Sequence, residues 1–573
     1  MANEKSKAEQ YRDERKARIA KAAKQNAKGM EKKTAAKKTA GKIISIILVA
    51  VIAIGIVGST LNYYGVWDRT IVIGGVGEDN VKVTAAEYEY YYMTVYNNFI
   101  NQIGNYAAQY GYDTSVAPDK QTGTFTDPTT GEETPWADYI RDGVISQIKQ
   151  VKTYYNEAVK AGMELTAADK ATVGNQIESL RSQAEQMGAS ENGHKYSLNA
   201  FLRFYYGPFN ESFMRKIVGQ QVLAYNYAQN LVKEYSKNYS QEEIDKAYNA
   251  DKSAYDVVDV RIYTFNCETL EANEGETDEA LAARQAKADA EVKKNAEDFL
   301  KAATNEQAFV AKAKALNTSD AEYDAETATK LRSVTKSAIT ENYGFSEDVA
   351  NWLFNAGTKV GTAKMFTTEN SATTYTIFLL TKGMHQEKTV NVRHILFMTV
   401  DQQTGEAFDE EKKAEAKKNA DDALKTWESG DKTEESFAAL AADLSEDTGS
   451  QQTGGLYENV LPGSMVAPFD SWIFDANRKA GDTEIVETEY GYHVMYFVSA
   501  NEQPYYDAVI RNEKANEEAE TKADEILNAE TNTIRFGVNN EGKGIKFAEN
   551  KVLKKITTIL QMQSNNASAT AGY

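Results

Sequence analysis

Val392-Arg393-His394-Ile395-Leu396-Phe397 and Tyr490-Gly491-Tyr492-His493-Val494-Met495-Tyr496-Phe497 are two short apolar runs, rich in β-branched and aromatic residues and bounded by turn formers. That pattern predicts two buried strands. Each carries one of the chain's four histidines. Between them lie Gly454-Gly455 and then Gly463-Ser464-Met465-Val466-Ala467-Pro468-Phe469. A single histidine on an apolar strand is usually a satisfied core residue. Two in one frame, with a glycine turn and a spaced Met and Phe between them, point to a site.

A related stretch precedes this one. Val260-Arg261-Ile262-Tyr263-Thr264-Phe265 parallels the first run, and Lys293-Lys294-Asn295-Ala296 parallels Lys417-Lys418-Asn419-Ala420. Trp352-Leu353-Phe354-Asn355-Ala356 parallels Trp472-Ile473-Phe474-Asp475-Ala476, and Thr374-Tyr375-Thr376-Ile377 parallels Gly491-Tyr492-His493-Val494. Four matches in one order predict a duplicated domain. In the first copy Ile262 replaces His394 and Thr376 replaces His493.

A His-bearing strand, a Gly-Gly turn, a Gly-x-Met-x-x-x-Phe segment and a closing Gly-Tyr-His strand, in that order, resemble the parvulin family of peptidyl-prolyl isomerases over roughly residues 388–500. The resemblance implies an α+β fold with two parvulin-like domains, each a four-stranded antiparallel sheet with helices. Residues 256–386 are the degenerate copy and 387–502 the isomerase domain. It further implies that His394 and His493 lie on neighbouring central strands, hydrogen-bonded to each other and to nearby hydroxyls. Met465 and Phe469 would grip the proline ring, on one helical face at a spacing of four. Tyr492 would be a third substrate contact, and Asp447 would face the peptide amide, with Thr448 as the alternative. One departure stands out: Gly454-Gly455 continues Leu456-Tyr457-Glu458, where the family usually has Asp-Leu-Gly. Twisting an amide needs no cofactor or metal, so none is expected. The two histidines also lack a third ligand at metal spacing, and Cys267, the single cysteine, belongs to the other copy.

The N-terminus predicts a compartment. Residues 1–42 carry eleven Lys and three Arg against four Glu and one Asp, a basic tail of net +9. Residues 43–62 are almost wholly apolar, long enough for one membrane crossing, and Tyr63, Tyr64 and Trp67 follow as an interfacial belt. An uncleaved signal anchor is expected, with the basic end cytoplasmic and the bulk extracytoplasmic in the cell membrane. Removing +9 from the total of −20 leaves −29 outside, which disfavours nucleic acid as a partner.

Residues 69–255 read as a helical, chaperone-like domain. A small hairpin around Gly74-Gly75 precedes Thr84-Ala85-Ala86-Glu87, a capping box opening a helix with Tyr88, Tyr91, Tyr92, Val95, Phe99 and Ile103 on one face. That stripe reads as core, or as a cradle for unfolded chains. A helical segment, 503–562, is expected to pack on this domain, followed by a disordered tail, 563–573. In the foldases of the SurA and PrsA kind that the chain resembles, such flanking segments form the chaperone domain. The function so implied is a membrane-anchored isomerase and chaperone for secreted proteins, acting on unfolded or partly folded, proline-containing polypeptides, with a homodimer left open. The alternative is a non-enzymatic holdase that uses parvulin folds only to bind extended peptide.

Overall fold

The computed structural model describes residues 66–191, 196–320, 323–369, 372–535 and 543–570. The predicted basic tail (1–42) and membrane span (43–62) lie outside the described residues. Among the described residues no helix is long and apolar enough to cross a membrane.

The chain opens with a hairpin, β1 (Val72–Val76) and β2 (Val81–Thr84). Its turn lies at 77–80, where Gly77 and Asn80 take positive φ, and not at Gly74-Gly75, which sit within β1. A Cβ on Gly75 would fall 1.9 Å from Asn80 Oδ1, so that glycine admits the turn's side chain instead of making the turn. The Thr84–Glu87 capping box then starts α1 (Ala85–Ile103). Three long helices follow, α2 (Trp136–Lys160), α3 (Ala167–Glu191) and α4 (Glu211–Tyr235).

Two sheets come next with the same plan. The first runs β3 (Val257–Asn266), α5 (Asp278–Ala302), α6 (Glu306–Leu316), β4 (Lys330–Thr335), α7 (Glu347–Leu353), β5 (Ala363–Glu369) and β6 (Thr373–His385). The second runs β7 (Lys388–Met398), α8 (Glu410–Glu428), α9 (Glu434–Leu444), β8 (Leu456–Val460), α10 (Ala467–Ile473), β9 (Thr483–Thr488) and β10 (Gly491–Pro504). Both are four-stranded and antiparallel, ordered β4-β3-β6-β5 and β8-β7-β10-β9.

The likeness extends to single hydrogen bonds. Arg261 Nε donates to Glu306 at 2.9 Å, and Arg393 Nε donates to Glu434 at 2.9 Å, each glutamate being the first residue of its helix. Both edge strands bulge at a residue of positive φ, Ser333 or Asn459. The backbone N–H of each is accepted by a side chain on the central strand, Asp259 at 2.8 Å or Asn391 at 2.7 Å. A bulge orphans backbone groups, and each copy satisfies one of them in the same way.

The chain then returns to the helical domain through α11 (Tyr505–Asn528), the short strand β11 (Ile534–Arg535), which pairs with β1, and α12 (Lys543–Thr570). Ala548, Val552, Leu553 and Ile556 of α12 share one core with Tyr88, Tyr91 and Tyr92 of α1. Those three rings are fully buried, so the tyrosine stripe forms the interior. α12 runs on to Thr570, through part of the tail (563–573) for which the sequence predicts disorder. Extending a helix already nucleated by packing costs little, and two alanines there favour it. Residues 571–573 lie outside the described residues.

Candidate active site

The strand period of two separates the faces of the second sheet. Ile395, Phe397, Val494 and Tyr496 face α8 and α9 in one core cluster. Val392, Met495 and Phe497 face α10 in another, with Phe469, Trp472 and Ile473. His394 and His493 point to this second side, with His394 opposite Met495 and His493 opposite Leu396 across β7 and β10. Their Nδ1 atoms are 3.0 Å apart.

Donors and acceptors fix the direction of the chain of bonds. The Asp447 carboxylate can only accept, so His394 donates to it from Nε2 at 2.9 Å. With a single proton on His394, held at Nε2, its Nδ1 accepts from His493 Nδ1–H. His493 Nε2 in turn accepts from the Thr488 hydroxyl at 2.8 Å, whose oxygen accepts the Tyr490 N–H. Asp447 also accepts from Ser450 and, at 2.9 Å, from the Tyr457 hydroxyl. Burial opposes the Asp447 charge, but the hydrogen bonds from His394 and Ser450 outweigh it and hold its pKa well below the usual carboxylate range. Burial, and then the neighbouring His394, depress His493 to about 3, so its imidazole is neutral. Burial and the Asp447 charge push Tyr457 up to about 12, which keeps it a donor.

Aromatic contacts close the arrangement. Phe469 stands edge-on to both imidazoles, with centroids 5.4 Å away in each case. Tyr457 stacks on His394 at 5.4 Å. Gly455 is required where it is: it has φ +74°, its carbonyl accepts the His394 N–H at 2.9 Å, and a Cβ would lie 2.1 Å from the His394 carbonyl oxygen. Gly463 meets the first copy, since a Cβ there would lie 2.5 Å from Cβ of Arg332 on β4.

The residues singled out from sequence are therefore only partly gathered. His394, His493, Asp447 and Phe469 come together, and Met465 packs half-buried on the same cluster. Met465 is not on the helix with Phe469: Val466 is the N-cap and Pro468 occupies the first turn, so the methionine stands in the turn before it. Thr448 is exposed and outside the hydrogen-bond chain. Tyr492 is corrected outright. It adjoins His493 in sequence and so faces the opposite side, against the α8–α9 cluster, with its hydroxyl 3.2 Å from Glu487. Tyr457, Ser450 and Thr488 are the additions. Tyr457 lies in the very Leu-Tyr-Glu departure from the family pattern, which was the signal available for it.

Residues 375–503 match the family described as the PPIC-type PPIASE domain. Foldase protein PrsA 3 of Bacillus anthracis is 40% identical over 77 residues, 13% of this chain and 26% of that protein. Foldase protein PrsA of Caldanaerobacter subterraneus subsp. tengcongensis is 31% identical over 102 residues, 17% and 33% of the two chains. The chain thus spans about a third or less of the length of these curated relatives. A solved peptidylprolyl isomerase, PrsA from Bacillus anthracis, aligns over 58% of this chain and 96% of its own at 16% identity, with a TM-score of 0.17, too low to carry an argument. The second sheet and its helices are a parvulin-type peptidyl-prolyl cis-trans isomerase domain.

Proposed function

We propose that the chain is a membrane-anchored, extracytoplasmic peptidyl-prolyl isomerase and chaperone that assists the folding of secreted polypeptides. The observation that carries the enzymatic part is the directed chain Thr488–His493–His394–Asp447 beneath Phe469. Rotation about the X–Pro bond breaks no covalent bond; its barrier, about 20 kcal/mol, is lost amide resonance. Each tenfold acceleration requires about 1.4 kcal/mol of preferential binding to the twisted amide. Phe469 and Met465 supply the apolar wall for a pyrrolidine ring. The imidazole pair and the Asp447 cluster supply preorganised dipoles that meet the redistributed charge on carbonyl and nitrogen. Anchoring by residues 43–62 is supported by their apolar run after a basic tail.

In this reading the first copy has no isomerase activity. Its register puts Ile262 opposite Phe378, as His394 is opposite Met495, and Thr376 opposite Thr264, as His493 is opposite Leu396. Leu331 holds the place of Tyr457. A protease-coupled assay with a proline peptide should show activity in the whole chain that falls at least tenfold on Met465→Ala. Unchanged rates would remove the enzymatic claim. One observation favours the holdase reading instead: Phe469 is only 2% exposed, so the wall must open to admit a ring. Suppressed aggregation without any catalysed isomerisation would select that reading.

A further inference from the structure

The isomerase chemistry does not use a cavity of about 330 Å³ in the helical domain, bounded by Asp68, α1, the segment around Arg203 and α12. Its lining is cationic, in a chain of net charge −20. Arg203, Lys551, Lys554 and Lys555 converge there, and burial, with a smaller push from the like charge of Arg203, lowers the pKa of neighbouring Arg69 against the pull of Asp68. Counter-charge is scarce. Asp68 is taken by Lys551, and Lys555 Nζ spends a hydrogen bond on the Arg203 carbonyl at 2.6 Å. Lys554 is exposed and makes no ion pair among the described residues. The remaining acid, Glu89, is 4% exposed, and its Oε1 has no hydrogen-bond partner. A buried carboxyl oxygen without a partner is costly, and here it lines the same cavity as the exposed Lys554. Burial, then the neighbouring Asp68, raise the Glu89 pKa to about 8, so at neutral pH it is largely a proton donor.

We propose that this cavity binds a phosphate-bearing anion, which Lys554, Lys555 and Arg203 neutralise and Glu89 meets with a hydrogen bond. Position favours one source. Asp68 follows Asn62, the end of the predicted membrane span, by six residues, a reach of at most roughly 20 Å. The headgroup of an acidic lipid is therefore within range, an inference that rests on the anchoring part of the proposed function. The cation count suits a phosphodiester better than a neutral ligand, because each charge-assisted hydrogen bond is worth about twice a neutral one.

Amine acylation of the full-length protein, read lysine by lysine, tests this. The protein is placed in vesicles of phosphatidylcholine alone, in vesicles of phosphatidylcholine with an equal part of phosphatidylglycerol, and in nonionic detergent with inorganic phosphate. Protection of Lys554 and Lys555 by phosphatidylglycerol but not by phosphate assigns a lipid headgroup. Protection by both assigns phosphate in general. Lys554→Glu, an exposed position that leaves folding intact, should weaken the protection roughly tenfold. No protection by either anion, or protection indifferent to Lys554→Glu, overturns the proposal. Isomerase activity in the same samples should not change with Lys554→Glu, which keeps a failure here distinct from a failure of the proposed function.

Discussion

Set side by side, the two sheets share their frame and differ in one layer. Arg261 and Arg393 bind the first residue of equivalent helices, and Ser333 and Asn459 bulge at equivalent places. Between these fixed points the first copy holds Ile262 and a bond of 3.1 Å between the hydroxyls of Thr264 and Thr376. The second holds two imidazoles, a carboxylate and three hydroxyls in one hydrogen-bond chain. The frame needs only apolar strands, an arginine bonded to the start of a helix and a capped bulge. The polar layer needs all its members together, because a half-satisfied buried network is worse than none. The frame therefore stands without that polar layer, as it does in the first sheet.

The comparison can be broken most forcefully at Phe469. Its buried ring belongs to the second copy alone, so Phe469→Ala should cost about 3–5 kcal/mol of that copy's stability and leave the first unaffected, as read by hydrogen exchange. A shared loss of protection would mean the copies do not unfold separately. Next in size are the arginines. Arg261→Met and Arg393→Met should each cost about 2–3 kcal/mol, because each removes several charge-assisted bonds. Chemical denaturation of the two variants checks this, and a large disparity would deny the frame its equivalence.

Acid separates the copies by their polar layers. His493 is held at about 3 against an ordinary 6.5, so the unfolded chain binds its proton first. The contribution of the neutral ring is complete above about 6.5 and is lost as pH falls towards 3, at no more than about 1.4 kcal/mol per pH unit. Asp447, held below its ordinary 3.8, adds stability above that value and loses it as pH falls further. Residue-resolved exchange between pH 7 and 4 should therefore show the second copy weakening more than the first. Smallest is Tyr457→Phe, which removes one hydroxyl from Asp447 and should cost about 1 kcal/mol in stability and less than tenfold in isomerase rate.

How much of this could be read from the chain follows from the range of each signal. His394 and His493 are legible because each lies in a short string whose neighbours define its strand, whereas Asp447, with Thr448 as its alternative, comes from the family resemblance. Tyr492 misled because adjacency in sequence is opposition on a strand. Ser450 and Thr488 escaped notice because their roles depend on where a turn and a hairpin return the chain. Met465 was assigned to a helix by its spacing of four from Phe469, yet Pro468 between them marks a helix start. The hairpin turn was misplaced because Gly74-Gly75 looks like a turn, whereas its glycine makes room for Asn80.

The central claim is that isomerase chemistry belongs to the second copy's polar layer, and paired double variants test it most directly. In one proline-peptide isomerisation assay, His394→Ala with His493→Ala is compared with Ile262→Ala with Thr376→Ala, folding being verified by circular dichroism. The account predicts that the first pair abolishes the catalysed rate and the second leaves it unchanged. Equal losses, or activity surviving removal of both imidazoles, would contradict it.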